Sequence, residues 1–215
     1  MPFIPLKIKH GHILSVQDSA YPVELFGWHD EKLQLAGDVT HFGMVTESGA
    51  TMEANGRSTP LSRGMFFVHF GTMSISGGRG LVIARPGYRG YSQIGGPLEA
   101  QGRLKYIDGC SDTLLVCPPR LGEPCLNHLH IPAGTNQTQH THPSDRIGVI
   151  MAGGGECRTP EANHPLEDGM AWLIPAGSRH SFFTSGSSLD VVAWHPDSDF
   201  GPRDDDHPMI NRTVI

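Results

Sequence analysis

The sequence predicts an all-β protein folded as β-barrels, and three observations carry that expectation. It holds 27 glycines and 17 prolines in 215 residues, residue types that end helices and populate turns. Only 18% of the residues are charged, and sustained helical periodicity is missing. Short apolar runs bounded by Gly, Pro, Asn, Asp or Ser recur instead, at the spacing of sandwiches and barrels.

Taken in chain order, the strand-like runs are 64–70, 80–84, 112–117 and Cys125–Ile131, then 147–151, 170–174, 181–184 and 189–194. One helix is expected near 20–27. Two halves share this texture without a low-complexity linker between them. Residues 1–108 are expected to form a degenerate barrel without metal, because His41 and His69 have no His-x-His neighbour there. Residues 109–215 are expected to form a second, stacked barrel that carries the metal, followed by a polar tail from Asp197. In that tail region, His195 and His207 are expected at the surface.

Composition excludes several function classes. The net charge is −6 and no basic run occurs, so nucleic acid is not an expected partner. The opening MPFIPLKIKHGHILSV is broken by prolines and charges and reads as no signal peptide. No stretch approaches a membrane span. Cys110, Cys117, Cys125 and Cys157 form no C-x-x-C pair and are expected as reduced thiols in a cytoplasmic protein.

The chemistry concentrates in two segments. In Gly134-Thr-Asn-Gln-Thr-Gln-His140-Thr-His142, two histidines stand two residues apart, which on a strand places both on one face. Phe182 shares a face with His180 and Thr138 with His140, so both should face inward; for Trp172 and Ile174 the inward sense stays open. In Gly169-Met-Ala-Trp-Leu-Ile-Pro175-Ala-Gly177-Ser-Arg-His180, a Pro-x-Gly turn feeds a third histidine. Three neutral imidazoles with open positions make a catalytic type of metal site.

Gly134, His140, His142, Gly153, Gly169, Pro175, Gly177 and His180 keep every spacing of the two motifs of the cupin superfamily, which this chain resembles. The resemblance implies a jelly-roll-like barrel (a bicupin for the whole chain) and one divalent metal on His140, His142 and His180. Cupins often pair through sheet edges, so a homodimer is also an expectation. Two positions depart from the pattern. Arg146 replaces the motif's Glu, and Thr184 its closing Asn. Arginine offers donors only and cannot ligate a metal, which leaves a three-histidine site. Two readings of Arg146 stay open: it grips a carboxylate of a metal-bound substrate, or it turns away to Asp145 or the tail acids. Glu156 and His130 are catalytic candidates, Glu156 as a general base. Against this, His128 and His130 read more simply as barrel-lining or core histidines and Glu156 as a surface residue.

Several strings, among them Asp108-Gly-Cys-Ser-Asp-Thr-Leu-Leu-Val116 and Pro124-Cys-Leu-Asn-His-Leu-His-Ile-Pro132, resemble the zinc cupin part of hydrazine synthetases. That resemblance implies natural-product chemistry: rearrangement of an O-aminoacyl hydroxylamine ester into an N–N bond, with zinc favoured over iron. The chain would then work with a separate methionyl-tRNA-synthetase-like partner. The alternatives are a three-histidine non-haem iron dioxygenase, and a non-catalytic metal- or ligand-sensing cupin.

Overall fold

Apolar runs punctuated by glycine turns fold into short strands. In the computed structural model, which describes residues 2–203, 209, 213 and 214, the one helical element is a 3-10 turn at Ile107–Gly109. The helix expected near 20–27 is absent. Val23–His29 is a strand, with Val23 and Leu25 buried, because the segment pairs on both edges, with Gly11–Val16 and Arg79–Pro86. Tertiary pairing overrides a weak local preference here. The four cysteines are free thiols.

The N-terminal half supplies two sheets. One is six-stranded, in the order Gln93–Gly95, Phe66–Phe70, Val39–Glu47, Arg79–Pro86, Val23–His29, Gly11–Val16. The other is four-stranded, in the order Leu33–Leu35, Met73–Ser76, Ala50–Ala54, Arg57–Leu61. Trp28, Val45, Phe67 and Val82 pack between them. Alternation sends Phe42 and Met44 to the other face of the six-stranded sheet, where they meet Leu126, Val149 and Trp194 of the C-terminal half. Phe42 and Trp194 lie 5.8 Å apart, centroid to centroid.

The C-terminal sheet orders Ile4–Leu6, Ala171–Ile174, Arg146–Arg158, Leu189–His195, Cys125–Ile131, Ser111–Val116 and Leu104–Lys105. Asn163–Glu167 and Ser181–Phe183 pair with the far half of Arg146–Arg158. The first strand of the chain thus belongs to this sheet, and Phe3 is buried against Trp172 and His164. The long strand can serve both sets of partners because it bends. Gly153 sits at φ +78, and a Cβ there would lie 1.9 Å from the Ser188 carbonyl oxygen. Only glycine combines that conformation with that approach.

His41 and His69 face each other in register inside the N-terminal half, both buried. Burial, with the neighbouring His69, lowers the His41 pKa from 6.5 to about 4. The unfolded chain therefore binds this proton at higher pH than the folded one. Stability from neutral His41 is present above about pH 6.5 and is lost as pH falls toward 4, an effect of up to ~3 kcal/mol. A His41→Leu protein should show a shallower fall in urea midpoint between pH 6.5 and 4 than the parent. An unchanged slope assigns the acid sensitivity elsewhere.

Candidate metal centre

The segment that carries His140 and His142 is not a ladder strand. It is extended loop, tied down by the isolated bridges Asn136↔Phe183 and His140↔His180. His140 and His180 exchange two backbone hydrogen bonds of 2.9 Å, and the Gly177 N–H donates to the His142 carbonyl at 2.8 Å. The glycine and proline turns at both ends keep the segment out of the sheet, and the bridge supplies the closeness that strand pairing was expected to give. The three rings lie 4.7–5.2 Å apart, centroid to centroid. One nitrogen from each falls within 4.8 Å of the others, so small side-chain rotations suffice to put all three at the ~2.0–2.1 Å of a zinc–imidazole bond.

The donor chemistry fits a divalent ion. The His140 and His180 Nδ1 atoms each lie 2.9 Å from a backbone carbonyl, of Thr138 and Ser178. A carbonyl only accepts, so each Nδ1 carries the proton and each Nε2 keeps its lone pair. Burial, reinforced by Arg146 and the neighbouring imidazoles, lowers His142 to about 3. Burial likewise lowers His180 to about 4, against the opposing effect of the Ser178 carbonyl. Both rings are neutral at pH 7, the state that binds metal.

Asp108 supports this arrangement from behind. Its carboxylate accepts from the Thr138 backbone N–H (2.6 Å) and hydroxyl (3.1 Å), and Thr138 in turn holds His140. Asp108→Ala should lower metal affinity by ~10–100-fold, the usual cost of losing an outer-shell partner. Competition with a chelator measures it; unchanged affinity would show that the loop needs no such clamp.

The triad opens into a cavity of ≈ 230 Å³. Leu129, Trp172, Phe182, Val191 and Ala193 form its apolar wall, and Asp112, Asn127, Gln137, Arg146 and His195 its polar groups. Phe182 faces inward as expected, 6.1 Å from His180 and 6.0 Å from Trp172 between ring centroids. Trp172 also faces inward, lying over Gly148; a Cβ at Gly148 would come within 2.3 Å of the indole. Thr138 does not face inward. It is exposed, and the irregular loop turns Gln137 into the cavity instead.

Arg146 sits between the cavity and a tail acid. It is buried and lines the cavity. Its Nη1 donates to the Ser144 carbonyl, the Ser144 hydroxyl and the Asp145 carbonyl. The same nitrogen lies 3.5 Å from the Asp197 carboxylate, which also accepts from Ser144 Oγ. A tail acid thus supplies the anion that a guanidinium beside a dication requires. The Asp145 carboxylate is engaged elsewhere, accepting from the Ala176 N–H at 2.8 Å. Arg146 Nε is buried and has no hydrogen-bond partner.

The remaining candidates lie apart from the triad. Glu156 stands opposite Phe183 in register, on the strand face away from Phe182, and pairs with Arg158 at 2.9 Å. His130 and His128 both bond Asp190 Oδ1, at 2.8 and 2.9 Å. Alternation with Asn127 and Leu129 points them out of the cavity. Thr184 takes a structural part, accepting from the Thr135 N–H and donating to the Pro132 carbonyl. His207 lies outside the described residues.

His195 corrects the surface expectation: it lines the cavity, its ring centroid 6.3 Å from that of His142. Burial, then Arg146 and His142, holds it well below its usual pKa. Alternation through Val191 and Ala193 leads to it, but Val192 and Trp194 are apolar too, because this sheet is buried on both faces. The sequence pattern therefore carried no signal for which set faced inward.

The cupin domain family model matches residues 127–195, which span all three histidines. No curated protein matches the sequence. Among solved structures, the chain resembles a cupin 2 conserved barrel domain protein from Leptotrichia buccalis (TM-score 0.64, 15% identity, 91% of this chain and 89% of that one). It also resembles salicylate 1,2-dioxygenase from Pseudoaminobacter salicylatoxidans, solved with gentisate (TM-score 0.63, 12% identity, 83% and 69%). A third is protein Ylba from E. coli (TM-score 0.63, 15% identity, 93% and 89%). The resemblance to hydrazine synthetases finds no support in these comparisons. With the motif histidines converged in an all-β scaffold of this kind, residues 127–195 match the cupin domain and the chain has the cupin fold.

Proposed function

We propose that this chain is a metal-dependent cupin enzyme, a three-histidine non-haem iron dioxygenase acting on a small carboxylate-bearing metabolite. The observation that carries the reading is the convergence of three imidazoles, two of them held neutral by burial, on an apolar cavity. Iron bound there supplies the redox chemistry that no side chain can. The chain's own residues do the rest. Trp172 and Phe182 exclude water and offer ring faces to an aromatic or apolar body. Arg146 Nε, a buried donor without a partner, would donate a hydrogen bond to the substrate carboxylate. The fold likeness to salicylate 1,2-dioxygenase, at 12% identity, supports the reading at the level of scaffold. The six- and four-stranded sheets serve as a metal-free barrel on which the C-terminal one is stacked.

The test is oxygen uptake by protein reconstituted with ferrous iron or with zinc, against a panel of hydroxybenzoates and aliphatic carboxylates. Substrate-dependent uptake near one oxygen per substrate with iron, and none with zinc, is expected. Stoichiometric zinc in the purified protein, with an oxygen-inert iron form, would overturn it. That outcome would return the chain to redox-neutral zinc chemistry, such as the N–N rearrangement with a synthetase-like partner.

A further inference from the structure

We infer that Asp112, presented by Asn127, is a subsite for a substrate ammonium group at the far end of the cavity from Arg146. The inference deepens the function proposed above and rests on it for the carboxylate end only.

Register places the groups. Arg146 stands beside Ile174, and the Ile147↔Trp194 pair sets it alongside His195. His195 pairs with Cys125, Ala193 with Asn127, and Asp112 with Leu129. Partners across an antiparallel ladder share a face, so all these side chains line one concave surface. From the strand of Arg146 to that of Asp112 there are three strand spacings, ~14 Å before the side chains reach inward. Cation and carboxylate therefore sit at opposite ends of the cavity.

The Asp112 end is built. The Cys125 thiol donates to Asn127 Oδ1 at 3.3 Å, which turns the amide N–H groups outward. One of them donates to Asp112 Oδ1 at 2.8 Å. Among the described residues Asp112 forms no ion pair. Lys105 lines the same cavity, but it is exposed and pairs in register with Ser111, the residue whose side chain points the other way. Asp112 is half-buried against Leu129, which reduces its hydration and favours a cation as its partner. In line with this, burial raises the Asp112 pKa, against the opposing effects of Asn127 and His128. The guanidinium at the other end faces Asp197 through Nη1 at 3.5 Å and keeps a buried Nε donor free for a ligand carboxylate, so Arg146 and Asp112 do not neutralise each other. A bound molecule with a carboxylate at one end and a primary amine at the other matches both.

The experiment uses the zinc-loaded protein, inert under the function proposed above, and calorimetric titration with 4-(aminomethyl)benzoate, 4-methylbenzoate and benzylamine. The parent protein is expected to bind 4-(aminomethyl)benzoate at least tenfold more tightly than 4-methylbenzoate. Asp112→Asn should bring that ratio near one, weaken benzylamine at least tenfold, and leave 4-methylbenzoate and zinc content unchanged. If the parent does not prefer 4-(aminomethyl)benzoate over 4-methylbenzoate, the subsite is overturned, and this comparison needs no variant. A preference that survives in a folded Asp112→Asn protein overturns it equally and assigns the amine to another group. If 4-methylbenzoate does not bind while benzylamine binding depends on Asp112, the carboxylate reading falls and the amine subsite stands.

Discussion

His180→Ala is expected to yield a folded protein that does not retain metal. The side chain is buried, but what ties its segment to the neighbouring loop is backbone: the paired bonds between His140 and His180 survive the substitution. What is lost is one of three ligand nitrogens and the Ser178-anchored ring. Loss of a supporting hydrogen bond costs ~10–100-fold in metal affinity, and loss of a ligand should exceed that. Metal content after dialysis against a chelator should fall from about one ion per chain to near zero. Metal binding to the native state alone stabilises by about 2.7 kcal/mol at a hundred times the Kd. The parent's melting temperature should therefore rise with added metal while the variant's stays put. Full metal retention by the variant would mean that the ion, if any, sits elsewhere.

Arg146→Met separates substrate binding from metal binding. Methionine keeps most of the apolar stem and removes the charge. Asp197 is left without its cation, but its side chain is 22% exposed and can take water. The stability loss should therefore stay below the ~3–5 kcal/mol of a fully buried pair broken on one side. Charge-assisted hydrogen bonds contribute ~1.5–3 kcal/mol each. Affinity for 4-methylbenzoate should thus fall by roughly tenfold to a hundredfold, with metal content unchanged. If the metal is lost instead, Arg146 holds the ligand loop through Ser144 and not the substrate.

The three-histidine cluster was legible because its signal is local. His140 and His142 sit two residues apart, His180 follows a Pro-x-Gly turn, and every glycine of the motif marks a turn or a close approach, as Gly153 does. The strand runs were legible for the same reason. What escaped depends on long-range contact. Arg146 finds its counter-ion 51 residues away in Asp197, and Asp145 and the other tail acids competed for that part. Asp112 gains its meaning only through Asn127 and Cys125 on the next strand. His195 was hidden by a sheet with two buried faces, where alternation has no polar side to report. Gln137 displaced Thr138 as the inward residue because an irregular loop does not keep period two. The first strand's place against Ala171–Ile174 joins residues some 170 apart, beyond any local pattern.

The most direct test of the central claim is an anomalous-scattering map of crystals grown after metal reconstitution, recorded at the metal's absorption edge. One peak per chain is expected, within ~2.0–2.2 Å of an imidazole nitrogen from each of His140, His142 and His180, with no carboxylate in the coordination shell. A peak at His128, His130 and Asp190, or none at the triad under saturating metal, would contradict it.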